Sequence, residues 1–277
     1  MKFAISNIAW EPSQDDAVRE VLAAAGFRAI EVAPTKAWAD PSTVTSAEAL
    51  RYRAAWESRG FRLVAMQALL FGHPEMTLFE NEERRKLSYN YLLKIMELAA
   101  RLGVGPLVFG SPKNRLAGSL PKAEALSIAA DFFHEVGEAA AKLGVEMCIE
   151  CNPPQYGCDF VNTIAQGVEL VCAADSPGFR LHVDGSSMIL NEEDIETAMD
   201  EAFPVTSHFH ISDPFLAIPG GHEAPHQRMS ARLRTLGYTG FLSIEMRGGQ
   251  IADNVQAVRQ AVDFACRVYA PGLQCHD

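Results

Sequence analysis

The chain has 277 residues, 48% of them hydrophobic and 21% charged, which is enough apolar surface for a large buried core. Its formal net charge of −11 excludes the basic footprint of a nucleic-acid binder. No stretch reaches the ~20 apolar residues of a membrane span, and the N-terminal residues carry no apolar run of leader type, so a cytoplasmic protein is expected. In that compartment the six cysteines, Cys148, Cys151, Cys158, Cys172, Cys266 and Cys275, are expected as reduced thiols. Cys148 and Cys151 have no second pair with which to make a metal site.

The first strand is expected over residues 3–8, with Trp10 just past it, where an aromatic ring could wall a substrate pocket. A helix near 13–25 ends at Ala25-Gly26-Phe27 and leads into a strand at 29–33. The next helix, 45–59, ends at Arg59-Gly60-Phe61 before a strand at 63–67, and His73 follows in a position to enter a pocket. In the helix near 80–102, Leu87, Tyr91, Ile95, Leu98 and Leu102 recur at steps of three and four. A fourth strand follows Leu102-Gly103-Val104 and runs into the loop Gly110-Ser111-Pro112-Lys113-Asn114-Arg115. Lys113 and Arg115 there could hold a carboxylate or phosphate on a substrate. The helix near 122–143 has the same period in Leu126, Ala129, Phe133, Val136, Ala140 and Leu143, and His134 on it is expected at the surface.

Four later strands each close on a metal-type ligand: Cys148-Ile149-Glu150, His182-Val183-Asp184, His208-Phe209-His210 and Ser243-Ile244-Glu245. Helices near 162–174, 191–202, 224–236 and 251–269 separate and follow them. Alternate side chains of a strand share a face. Glu150, Asp184, His210 and Glu245 therefore point one way, and Ile149, Val183, Phe209 and Ile244 the other. Six times a helix gives way to glycine and an apolar residue that opens a strand, at intervals of 34 to 59 residues, about one βα unit each. A doubly wound sheet explains the alternation equally well. It does not explain ligands on four successive strand ends, which converge on one mouth in a barrel. Residues 1–277 are thus expected to form a single-domain (β/α)8 TIM barrel.

Three carboxylates and one imidazole suit one divalent ion, with Mn2+, Mg2+ or Co2+ preferred over a thiolate-loving metal. Metal bound to a carbonyl and its neighbouring hydroxyl acidifies the adjacent C–H. His208 shares the inward face with His210 and could bond a substrate oxygen. His182 lies one layer deeper than Asp184 along its strand and reads as structural. Gly248-Gly249, after the last strand, could offer amides to a phosphate.

The order Glu, Asp, His, Glu on strands five to eight resembles the xylose-isomerase-like sugar isomerases and epimerases. It is nearest to their ketose 3-epimerase and hydroxypyruvate isomerase branch. The segment from Glu150 to Asn162-Thr163, the pair His208-x-His210 and Gly237-Tyr238-x-Gly240-Phe241-x-x-x-Glu245 carry the likeness. The resemblance implies that Glu150 and Glu245 exchange the substrate proton while touching the metal. It also implies a carbohydrate substrate and association as a homodimer or homotetramer. Two positions depart from the pattern. Ser187 stands where the 3-epimerases carry a histidine. No arginine follows the seventh strand closely, so His222 and His226 are the next basic candidates there. The same scaffold could instead serve a metal-dependent lyase or dehydratase of an inosose or keto-glycoside. An abasic-site endonuclease would need more ligands and a basic face, and a non-catalytic binder would not need all four ligands.

Overall fold

The computed structural model describes residues 1–270. Eight parallel strands close in chain order into one barrel. They are β1 (Lys2–Ser6), β2 (Ala29–Val32), β3 (Arg62–Met66), β4 (Pro106–Phe109), β5 (Glu146–Glu150), β6 (Phe179–Asp184), β7 (Thr206–Ser212) and β8 (Phe241–Glu245). The first pairs with the last through Lys2–Ile5 against Phe241–Ile244, so no edge is left open. The helices are α1 (Asp15–Ala24), α2 (Pro34–Ala37), α3 (Ser46–Glu57), α4 (Glu82–Leu102), α5 (Lys122–Leu143), α6 (Ile164–Ala174), α7 (Gly185–Leu190), α8 (Ile195–Ala202), α9 (Glu223–Thr235) and α10 (Asn254–Tyr269). All but the short α2 and α7 form the outer ring, in which α10 packs on α1.

The expected (β/α)8 barrel is thus the observed one, and its local punctuation follows the glycine pattern with one exception. Gly26, Gly60, Gly103, Gly144 and Gly237 have φ between 71° and 78°, the left-handed angle that ends a helix. Gly178 does not cap anything. The helix before it ends on Asp175 at φ 45°, and a Cβ on Gly178 would sit 2.1 Å from the Gly137 carbonyl oxygen of α5. It is small because α5 lies against β6.

The helix 191–202 expected from the sequence begins only at Ile195, because a short helix starts directly at the end of β6 instead. The Asp184 side chain accepts the Ser187 amide there and caps α7. On α4 the buried face is Tyr91, Leu92, Ile95, Met96, Leu98, Ala99 and Leu102, and Leu87 is turned out to solvent. Between barrel and helices, Phe133 of α5 stacks on Phe179 at 4.5 Å and meets Phe109 edge-on at 5.2 Å. Burial of such a ring contributes about 2–3 kcal/mol. No described helix is long and apolar enough to cross a membrane. Cys148, Cys151, Cys158 and Cys172 are free thiols, as expected, whereas Cys266 is disulfide-bonded, and Cys275 lies outside the described residues.

Candidate metal and substrate site

The C-terminal ends of β5 to β8 deliver Glu150, Asp184, His210 and Glu245 to one mouth of the barrel. Nδ1 of His210 lies 3.3 Å from Glu245 Oε2 and 4.0 Å from Asp184 Oδ2. Ligand atoms of Glu150, Asp184 and His210 all lie within 4.8 Å of one another. Asp184 accepts hydrogen bonds from Ser186 Oγ at 2.6 Å, from the Ser187 amide at 2.7 Å and from Ser212 Oγ. Nε2 of His210 faces the fully buried Glu31 of β2, 3.0 and 3.1 Å from its two oxygens, and Ser243 Oγ donates to the same carboxylate at 2.5 Å. Sequence reasoning missed Glu31. Its signal was a lone carboxylate inside the apolar strand Ala29–Val32.

The electrostatics of the cluster call for a cation. Burial pushes the Glu150 carboxyl well above the usual carboxylate range, and the charges of Asp184 and Glu245 push it the same way. Burial also raises Glu245, against the pull of His210. Burial alone would raise Glu31 and lower His210, but their mutual attraction outweighs it, so Glu31 is held low and His210 is raised. Burial holds His182 well below its ordinary value, so its ring is neutral. Nδ1 of His210 is buried, has no hydrogen-bond partner among the described residues and faces the carboxylates of Asp184 and Glu245. Donors of this kind fit a divalent ion, which would let the carboxylates ionise together. Glu31, at the far ring nitrogen, would then fix the orientation of the imidazole.

A cavity of about 590 Å³ opens over the cluster, with Glu150 and Glu245 in its lining. Ala68, Ser111, Phe215 and Leu216 also line it, and all four take positive φ, between 22° and 62°. Such angles cost non-glycine residues about 1–3 kcal/mol each and gather at functional sites. The segment after β7 is held in its strained path from three sides. The Phe215 amide donates to Tyr156 Oη at 2.9 Å, Gln250 Nε2 and the Arg247 amide donate to the Leu216 carbonyl at 2.8 and 3.0 Å, and Asp213 accepts the Gly220 and Gly221 amides.

The family model for xylose isomerase-like TIM barrels matches residues 19–268. The chain belongs to this family. It is 25% identical over 157 residues to a D-psicose 3-epimerase of Agrobacterium fabrum, which covers 56% of this chain and 52% of that one. It is also 25% identical over 253 residues to a probable ketose 3-epimerase of Synechocystis, covering 88% and 84% of the two chains. The chain thus spans about half the length of the first of these relatives. A crystal structure of a D-psicose 3-epimerase in the presence of D-fructose superposes with a TM-score of 0.80 at 21% identity, over 97% of this chain and 99% of that one. That likeness shows a shared fold.

Within this xylose isomerase-like barrel the structure brings the four expected ligand residues together but places the expected substrate contacts outside the cavity lining. Trp10 is buried and donates from Nε1 to Asp15 at 2.7 Å, so it anchors α1 and is no cavity wall. Arg115 is fully buried with its guanidinium on the carbonyls of Phe109, Phe160 and Glu150 and on the Cys158 sulfur, and it does not line the cavity. Lys113 is exposed and does not line the cavity; its neighbours Ser111 and Pro112 do. His208 lies inside the barrel, 3.4 Å from Glu31, away from the lining. Ser187 is buried with its amide on Asp184, and Ser186 lines the cavity in its place. His222 is half-exposed on Asp213, outside the lining. His73 packs on Tyr91, and His134 reaches the Ala174 carbonyl from the surface of α5. The amides of Gly248 and Gly249 are taken by the Ile8 carbonyl and Asn254, which removes the phosphate reading. The cation that does line the cavity is Arg247, two residues beyond the end of β8. It was not among the residues expected from the sequence.

Proposed function

We propose that the chain is a divalent-metal-dependent epimerase or isomerase that moves a proton beside the ketone of a keto-sugar. The observation that carries this reading is a division of labour among the four ligand residues. Glu150 and Glu245 line the cavity, while Asp184 and His210, on the two strands between them, do not. Glu150, Asp184, His210 and Glu245 would hold the ion. When bound, it would stabilise the negative charge that grows on the substrate oxygens as the proton leaves. One glutamate takes the proton from the C–H next to the carbonyl, and the other returns one from the opposite side. Return to the same carbon inverts it. Return to the carbonyl carbon, with the hydroxyl proton of the carbon that lost its C–H passing to the former carbonyl oxygen, interconverts ketose and aldose. Burial raises both carboxyls, which makes each a stronger base once ionised. The epimerase names of the relatives support the same reaction class.

Elimination on the same scaffold needs an acid for the leaving group. The phenol of Tyr156 lines the cavity, but burial raises it, and its proton points to Ser186 Oγ at 3.1 Å because Ser186 itself donates to Asp184. That arrangement favours proton exchange over elimination. By themselves the three carboxylates and one imidazole suit Mn2+, Mg2+ or Co2+.

Incubating the metal-loaded protein in D2O with a panel of ketoses tests the reading. Deuterium is expected at one carbon next to the ketone, lost on chelation and restored by added metal. Absence of exchange across the panel, or exchange that ignores the chelator, would rule it out. Gly110→Ala probes the ligand set independently, since a Cβ there would lie 2.2 Å from Glu150 Oε2. Displacing Glu150 in this way is expected to weaken metal binding at least tenfold, about 1.4 kcal/mol, as read by calorimetric titration. Unchanged affinity would show that Glu150 is not a ligand.

A further inference from the structure

Sequence spacing places His182 a layer below Asp184, away from the ion. The barrel's stagger cancels that offset. The register pairs His182 of β6 with Glu150 of β5, and Asp184 with His210 of β7, so His182 stands level with the first ligand residue. Its ring is fully buried, and neither Nδ1 nor Nε2 has a hydrogen-bond partner among the described residues. A ligand nitrogen of this ring belongs to the same cluster as Glu150, Asp184 and His210, all within 4.8 Å of one another. The ring also meets that of His210 edge-on, with centroids 4.0 Å apart. A buried polar atom left unpaired costs about 1–3 kcal/mol, and an imidazole with both nitrogens unpaired carries that cost twice. Two ligands of one ion at ~2.1 Å each lie at most about 4.2 Å apart, so sub-ångström movements close this group onto a single centre.

We propose that His182 is a second imidazole ligand of the metal centre, and that this chain therefore selects Co2+ or Zn2+ over Mn2+ and Mg2+. The inference rests on the metal site of the proposed function and adds a donor that the Glu, Asp, His, Glu pattern does not contain. A nitrogen donor added to an oxygen-rich set favours the later first-row ions, whereas Mg2+ gains least from imidazole. Glu150 and Glu245 remain free to face the cavity. The added ligand reaches the centre from inside the barrel, because His182 does not line the cavity.

Pulsed EPR on the full-length protein loaded with Mn2+ counts the coordinated imidazoles directly. Two nitrogen couplings are expected in the wild type and one in His182→Leu. Competition calorimetry should show the Zn2+-over-Mn2+ preference falling about tenfold in His182→Leu, and equally in His182→Gln, which keeps a polar side chain. The wild-type count stands even if a variant misfolds. A single coupling in the wild type, two that persist in a folded His182→Leu, or an unchanged preference would overturn the inference. If the wild type binds no divalent ion, the metal reading itself fails. If it binds one through a single imidazole, only the role of His182 falls.

Discussion

Glu150→Gln is expected to lower substrate turnover by roughly 10²–10⁴-fold, the usual worth of a positioned acid–base group, and Glu245→Gln should do the same. Glutamine keeps the shape and one oxygen, so each variant retains a ligand atom while losing the base. Both side chains line the cavity, and burial raises both carboxyls, so neither role passes easily to a neighbour. Calorimetry on each variant should still find a bound ion, more weakly held. Single-turnover exchange in D2O then isolates the proton step from binding. A metal-loaded variant that exchanged at the wild-type rate would have no base at that position. Loss in one variant alone would leave a single carboxylate working on one face of the substrate, which fits isomerisation and not inversion.

The second large effect concerns stability. Arg115 lies under the site with its guanidinium on three main-chain carbonyls, the shortest bond being 2.6 Å to that of Glu150. Its charge also favours the ionised form of Glu150. Arg115→Leu would remove a charged donor from each of those carbonyls, worth about 1.5–3 kcal/mol apiece. A melting temperature lower by roughly 10 °C follows, since 1 kcal/mol shifts a domain of this size by about 2–4 °C. Lys113→Ala, on the exposed side of the same turn, should stay within about 0.5 kcal/mol of wild type. Differential scanning calorimetry of the two variants makes the comparison. Equal melting temperatures for Arg115→Leu and wild type would remove the stapling role.

The two residues of that turn show where one-dimensional reading stops. In sequence, Lys113 and Arg115 are equivalent cations after β4. In the fold, a 3-10 turn over Pro112–Arg115 buries one and exposes the other. The loop path decides, and packing against Phe160 and the end of β5 sets that path. His208 is turned from the cavity for a related reason, since the carboxylate it meets, Glu31, comes from a distant strand. Glu31 was invisible as a site residue because its partners, His210 and Ser243, lie 179 and 212 residues away.

The alternation of helical periods with glycine-started strands was sufficient for a parallel α/β fold, because each βα unit is a local pattern, and the ligand-type residues on four successive strand ends chose the closed barrel over a doubly wound sheet. The strand-end ligands were equally legible. Alternation along a strand fixes which face a side chain takes, and in a barrel all inward faces share one interior. Height within that interior is another matter. It depends on how neighbouring strands are staggered, which is a property of the closed sheet. For that reason the sequence by itself determined that Glu150, Asp184, His210 and Glu245 meet. Only the tertiary structure decided that His182 stands beside Glu150, that Glu31 holds the imidazole, and that a strained segment ending in Phe215 and Leu216 walls the cavity.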